Sequence, residues 1–199
     1  CYASGTATFL LGGSICSRAC AFCQVSKGKP SEINKYESLQ VAEAVKTLNL
    51  KYVVLTAVAR DDLYDHGANL FVSTINEIRK IDPNIQIEVL TPDLWGGGKN
   101  FEDKDKLQKE RLKMILDKKP ICFNHNLETV ERLQKEVRRG ASYKNSISLL
   151  KKAKSIAPNI QTKSGIMVGL GETLDEVKKT ILDLRKVDCD QITIGQYLR

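Results

Sequence analysis

Short β-rich segments alternate with helix-periodic ones along this chain, and that alternation limits the fold more than any other feature. Thr6 to Leu11 opens the series with Thr, Phe and Leu, residues that suit a pleated, half-buried strand. A helix is predicted from about Leu39 to Leu48, with Leu39, Ala42, Val45 and Leu48 on one face and Ser38 placed to cap it. Tyr52 to Val58 reads as the second strand. The next helix runs from Asn69 to Ile81 and buries Leu70, Phe71, Ile75 and Ile78, and Pro83 separates it from a third strand, Ile85 to Leu90. A glycine-rich loop, Trp95 to Gly98, precedes a charged helix near Lys104 to Leu116. Pro120 then introduces the strand Ile121 to Phe123, and Asn126 is positioned to cap the helix after it. Two helical segments divided around Gly140 lead to a fifth strand, Gln161 to Val168. Thr173 and Glu176 have the spacing of a capping box, ahead of a last helix and a sixth strand, Gln191 to Ile194.

Strands joined by helices must pair mostly in parallel, because each helix supplies the long crossover that a parallel pair needs. Six such units predict an α/β fold, an open and partial (β/α)6 barrel related to the TIM barrel, with its chemistry just past the strand ends. The 199 residues suffice for one core, so residues 1–199 are expected to form a single domain. The longest strongly apolar run, Tyr52 to Ala59, is too short to cross a bilayer, so no membrane association is expected. No charged-then-apolar leader precedes Cys1, which suggests a cytoplasmic location, or an organellar one if a targeting segment has been removed. The formal charge of +7 comes largely from residues on helical stretches, such as Lys151, Lys152 and Lys154, and reads as solvated helix faces. Such a surplus would still attract an acidic macromolecule at long range. Aromatic residues are only 6% of the chain and fall mostly in strands or apolar helix faces, so the stacking platform of an RNA-binding module is missing and no nucleic-acid partner is expected.

Polar residues follow every predicted strand: Arg60, Asp61 and Asp62; Thr91 and Asp93; Asn124, His125 and Asn126; Gly169, Gly171 and Glu172; Gln196 and Tyr197. The loop after the first strand carries Cys16, Cys20 and Cys23, spaced C-x3-C-x2-C, with Arg18 and Lys27 nearby to favour thiolates. This clustering argues for a metal centre rather than disulfides, whereas Cys122 and Cys189 sit at apolar positions where free cysteine acts as a small hydrophobe. Structural zinc usually takes four ligands, and no fourth Cys or His lies at suitable nearby spacing. An iron–sulfur cube held by three cysteines leaves one iron open to an external ligand, which is what a cluster needs if it is to act on a bound small molecule.

The segment Cys16-Ser17-Arg18-Ala19-Cys20-Ala21-Phe22-Cys23, with an aromatic residue before its last cysteine, resembles the signature of radical S-adenosylmethionine enzymes. Gly165 to Glu172 resembles the adenine-contacting motif of the same superfamily and lies where such a barrel would carry it. Gly5 to Phe9, Arg60-Asp61-Asp62-Leu63, Phe123-Asn124-His125-Asn126-Leu127-Glu128, Tyr143 to Ser146, Lys163-Ser164-Gly165 and Gly195 to Leu198 are similar to lipoyl synthases in particular. His66 departs from that family, which more often has glycine there.

The resemblance implies a [4Fe–4S] cluster on Cys16, Cys20 and Cys23 whose open iron chelates S-adenosylmethionine, with Phe22, Asp61, Asn124, Lys163, Gly169 and Glu172 as cofactor-binding residues. It also implies a second, auxiliary [4Fe–4S] cluster held upstream by C-x4-C-x5-C. Cys1 matches the last cysteine of that motif; its other ligands are expected in segments before and after this chain. The implied reaction inserts two sulfur atoms into an octanoyl chain on a lysine of an acidic lipoyl domain, with a reductant such as ferredoxin or flavodoxin. Unactivated C–H bonds require a radical because they offer no acidic proton and no leaving group. Another radical sulfur inserter, like biotin synthase or a methylthiotransferase, is the alternative enzyme. A non-enzymatic metal-binding or RNA-binding module is the alternative from outside that class.

Overall fold

A computed structural model describes residues 5–198, so Cys1 lies outside the described residues. In chain order the strands are β1 (Thr6–Leu11), β2 (Ile15–Cys16), β3 (Ser26–Lys27), β4 (Tyr52–Ala57), β5 (Gln86–Leu90), β6 (Cys122–Asn124), β7 (Gln161–Val168) and β8 (Gln191–Gln196). The helices are α1 (Glu37–Thr47), α2 (Ala68–Ile81), α3 (Phe101–Leu116), α4 (Gln134–Val137), α5 (Tyr143–Ile156) and α6 (Leu174–Arg185), with a 3-10 turn at Glu131–Leu133. Six strands form one sheet in the order β1-β4-β5-β6-β7-β8, parallel at every pairing. Spatial order follows chain order with no reversal. A doubly wound sheet reverses at a switch point and carries helices on both faces, whereas an unreversed series places its helices on one side, as in a barrel wall. The two edge strands, β1 and β8, do not pair with each other, so this wall is open.

The core lies between the sheet and its helices. Val53, Leu55, Ile87, Val89 and Phe123 are fully buried there with Phe71, Ile75 and Ile78 of α2. Each such side chain stabilises the fold by roughly 1.5–3 kcal/mol through apolar burial. Strand alternation turns the other set of side chains toward the open face, where register aligns Leu90 with Asn124 and Asn124 with Lys163. A polar layer forms on that face around Glu88, which is 4% exposed and accepts hydrogen bonds from Tyr52 Oη (2.7 Å), Asn124 Nδ2 (2.9 Å) and Lys163 Nζ (3.1 Å). Burial alone would raise the Glu88 pKa, but these three donors outweigh it and hold the carboxyl below its ordinary value.

Three helix starts show how local signals and packing share control. The capping box at Thr173 and Glu176 is formed as expected. By contrast, α1 begins at Glu37, ahead of the expected Ser38 cap, and has no side-chain cap at all. Glu37 instead receives the Gly12 N–H at 2.9 Å and 3.1 Å, so a tertiary contact fixes this end of the helix. Asn100 accepts from Asp103 N and starts α3 at Phe101, three residues before the expected Lys104. Asn126 caps no helix, because the chain after β6 runs irregularly until Val130 leads into the 3-10 turn. Among the described residues no helix is long and apolar enough to cross a membrane.

Candidate radical-generating site

Beyond β1 the chain must cross the mouth of the barrel before α1, and the short parallel pair β2–β3 closes that crossing into a loop, with Ile15 opposite Ser26 and Cys16 opposite Lys27. The Gly28 N–H donates to the Cys16 carbonyl at 3.0 Å. Cys16, Cys20 and Cys23 are thereby confined to one loop, all half-buried, and all three line a cavity of about 260 Å³ past the C-terminal ends of the strands. Leu10, Thr56 and Leu90 wall this cavity on the sheet side; Asn126 and Glu128 border it from the chain after β6, and Arg138 borders it from the end of α4, beside the cysteine loop. Cys16 Sγ accepts the N–H groups of Ala59 (3.3 Å) and Arg18 (3.4 Å). Burial raises the Cys20 thiol pKa, Arg138 opposes that shift, and Cys16 and Cys23 add to it. Phe22 packs against the small cluster of Val130, Leu133 and Val137 and borders the cavity.

Two arginines hold the cysteine loop from behind. Arg18 donates to both oxygens of Asp61 (2.7 Å and 2.9 Å) and pairs with the buried Asp93 at 2.7 Å. Burial alone would lower the Arg18 pKa, and the two carboxylates more than reverse it. Burial would likewise raise Asp61, but the approach of His66 and the hydrogen bonds of Arg18 and Ser17 hold it well below the usual carboxylate range. Arg60, 2% exposed, donates to the carbonyls of Gly12 and Ser31 (both 3.0 Å) and to Asp62, tying both arms of the loop to β4.

The wall after β6 is a closed hydrogen-bond network. His125 is fully buried and its Nδ1 lies 2.8 Å from the Thr91 carbonyl; a carbonyl only accepts, so Nδ1 carries the proton. Nε2 is then free to accept from Arg138 Nη2 at 3.1 Å and from Ser146 Oγ at 3.0 Å. Ser146 Oγ accepts in turn from Arg138 Nη1 at 2.7 Å. Burial, reinforced by the Arg138 charge, lowers the His125 pKa to about 3, so the ring is a neutral orienting group. Glu128 is fixed by backbone hydrogen bonds to Gly165 and Met167 of β7, with φ +66, an uncommon conformation for a non-glycine residue. A Cβ on Gly165 would lie 2.7 Å from Asn126 Oδ1, so glycine is needed for the Asn126 side chain to cross β7.

A family model described as the radical SAM superfamily matches residues 10–184. The chain is 88% identical over 199 residues to lipoyl synthase 2 of Prochlorococcus marinus subsp. pastoris, a match that covers 100% of this chain and 67% of that protein. The chain belongs to the lipoyl synthases, within the radical SAM superfamily. Lipoyl synthase 2 of a Nostoc species is 55% identical over 200 residues, covering 100% of this chain and 66% of the relative. The chain thus spans about two thirds of the length of these lipoyl synthases. Methylornithine synthase (PylB) is similar in fold, with a TM-score of 0.71 at 16% identity over 97% of this chain and 53% of its own. Streptococcus suis SuiB, solved with S-adenosylmethionine bound, is similar with a TM-score of 0.68 at 14% identity over 96% of this chain and 40% of its own.

In this lipoyl synthase chain the residues expected at the site fall into three groups. Phe22 and the three cysteines border the main cavity. Asp61 stands behind Arg18 and borders a neighbouring cavity, while Asn124 and Lys163 belong to the polar layer around Glu88. Gly169 and Glu172 lie in the turn after β7, where the Glu172 carboxylate accepts the N–H groups of Gly169 and Leu170 and stabilises the turn itself. Arg18, Asn126, Glu128 and Arg138 border the cavity without having been singled out as site residues. Asn126 and Glu128 lie within the family-like segment after β6. Arg138 carries no comparable signal, because only the fold brings the end of α4 to the cysteines.

Proposed function

We propose that Cys16, Cys20 and Cys23 hold a [4Fe–4S] cluster that binds S-adenosylmethionine, and that the polypeptide containing this chain inserts two sulfur atoms into a protein-bound octanoyl chain. The observation that carries this reading is the sharing of one cavity by three half-buried thiols from a single loop, at the strand ends where a barrel concentrates its chemistry. The residues fit such a group. The buried Thr91 hydroxyl, which also borders the cavity, has no hydrogen-bond partner among the described residues.

When bound, the cluster and S-adenosylmethionine would supply a 5′-deoxyadenosyl radical, with the sulfur coming from an auxiliary cluster to which Cys1 contributes one ligand. The chain's own residues bind, orient and exclude. Arg138 presents a fixed positive charge to the cavity, held by His125 and Ser146. Asn126 and Glu128 offer polar contacts for a cosubstrate carrying both amine and hydroxyl groups. Leu10, Thr56 and Leu90 give the sheet side a largely apolar surface suited to an aliphatic chain. Phe22, Asp61, Asn124, Lys163, Gly169 and Glu172 complete the cosubstrate and substrate surroundings, Asp61 by holding Arg18 and Glu172 by shaping the turn after β7. The substrate is borne by an acidic lipoyl carrier, electrons come from a ferredoxin or flavodoxin, and the reaction takes place in the cytoplasm.

Anaerobic assay of the full-length polypeptide tests this. It should release 5′-deoxyadenosine in a reductant-dependent manner, and mass spectrometry should find two added sulfurs on an octanoyl-lysine peptide. Release of 5′-deoxyadenosine without any sulfur-bearing product would assign the chain to a different radical chemistry.

A further inference from the structure

The glycine run after β5 takes no part in the cysteine cavity, yet it is closely fitted to its surroundings. A Cβ on Gly96 would lie 2.6 Å from His66 Cε1, and one on Gly97 would lie 3.0 Å from Arg111 Nη2, at φ values of +141 and +81. Only glycine lets this loop settle onto those side chains. The loop walls a second cavity of about 670 Å³ that also opens at the barrel mouth, and Arg18 borders both cavities.

The charges in this second cavity do not balance. Its two carboxylates are already engaged, Asp61 by Arg18 and Asp62 by Arg60. Lys104, Arg111 and Arg139 also line it, and among the described residues none of the three pairs with a carboxylate. Arg111 is 4% exposed and donates to the backbone carbonyls of Tyr64 (2.7 Å), Leu94 (2.9 Å) and Gly96 (3.0 Å). Carbonyls satisfy its hydrogens; burial holds its pKa below the ordinary value, and Asp65 offsets part of its charge from a distance without pairing with it directly. The rim includes Trp95 and Tyr64, and Tyr64 is 87% exposed, which makes the cavity wide and open rather than an enclosed small-molecule site.

We propose that this second cavity receives acidic side chains of the protein segment that carries the substrate lysine. The inference rests on the reading above that the substrate is protein-borne. Its geometric basis is adjacency: with Arg18 as the shared wall, a lysine arm entering the cysteine cavity leaves flanking residues of its own backbone over Lys104, Arg111 and Arg139. Carboxylates there would meet the unpaired Lys104 and Arg139 and the field of the buried Arg111, and Tyr64 and Trp95 would cover the peptide beside them.

Fluorescence anisotropy on the reconstituted full-length polypeptide tests the site separately from turnover, with two octanoyl-lysine peptides that differ only in carrying aspartates or asparagines beside the lysine. The aspartate peptide should bind about tenfold more tightly at low ionic strength, and the advantage should fade as salt shortens the screening length. Lys104→Glu combined with Arg139→Glu should abolish the preference while leaving affinity for the asparagine peptide unchanged. Lys104→Gln, the milder change, should reduce the preference by roughly half of its free energy and serves if the double reversal does not fold. Equal affinity for the two peptides, or a preference that survives the charge reversals, would overturn the proposal. A preserved, salt-sensitive aspartate preference in a polypeptide that transfers no sulfur would support this site and count against the proposed reaction alone.

Discussion

The two walls of the cysteine cavity are held in different ways. The cysteine wall is an irregular loop with one two-residue ladder, fastened by side chains through Arg18 and Arg60, and its thiols remain half-exposed. The wall running from Asn124 to Thr129 lies against β7, and His125, Leu127 and Thr129 have no exposed surface. Gln134 donates to the carbonyls of both Leu127 and Thr129 at 2.8 Å, and Ser164 donates to that of His125 at 2.9 Å. The difference teaches a division of labour. The proposed ligands sit where the protein can adjust to a bulky guest, and the charge proposed to orient that guest is held by buried hydrogen bonds. Substitutions in the first wall should therefore remove activity while sparing the fold, and substitutions in the second should cost stability.

The sharpest contrast is expected from Cys20→Ala. It should bring 5′-deoxyadenosine release below detection while changing the unfolding free energy by less than about 1 kcal/mol, since it removes one half-exposed sulfur. Arg138→Met should do the reverse in urea unfolding and cost about 3 kcal/mol, because His125 Nε2 and Ser146 lose a charged donor in a buried setting. If the two variants lost equal stability, the division between the walls would fail.

A pH series probes the rigid wall more finely. His125 has a folded pKa of about 3 against an ordinary 6.5, so between those values the unfolded chain binds a proton that the folded chain does not. Its contribution is complete above pH 6.5 and is lost as pH falls toward 3, with a slope of at most about 1.4 kcal/mol per pH unit. The groups facing it are Arg138, Arg18 and Asp93. His125→Gln should flatten the slope between about pH 5.5 and 6.5, above the range in which ordinary carboxylates titrate. Asp61→Asn should lose less stability than Arg138→Met, about 1–2 kcal/mol, because Arg18 keeps Asp93 as a partner.

Much of this architecture was legible in the sequence where burial and periodicity coincide. Val53, Leu55, Ile87 and Val89 lie in runs that read as strands and occupy the core in the expected order. The Thr173 box was legible because all of its atoms lie within one turn. The Glu37 contact with Gly12 was not, since its partners are 25 residues apart and a tertiary bond replaced the local cap. β2 and β3 are two residues each, too short for any periodicity to register. Spacing marked the cysteine triplet as a metal centre, and the family resemblance supplied its reading as a cluster site. Arg138 is equivalent in sequence to any arginine at a helix end, and only burial beside His125 distinguishes it from Arg139, which lines the other cavity. Asn124 was visible as a polar residue past a strand and Lys163 only through the family resemblance, but their mutual register with Glu88, which turns them toward each other, depends on strand pairing.

Metal content measures most directly whether the loop thiols form one cluster site. The full-length polypeptide and its variant carrying Cys16→Ala, Cys20→Ala and Cys23→Ala together should be reconstituted anaerobically and assayed for iron and sulfide. The variant should hold about four fewer irons and four fewer sulfides per chain, the content of one cube, while its circular dichroism stays that of the parent. A variant that binds as much iron as the parent would contradict the assignment of these three cysteines to a cluster.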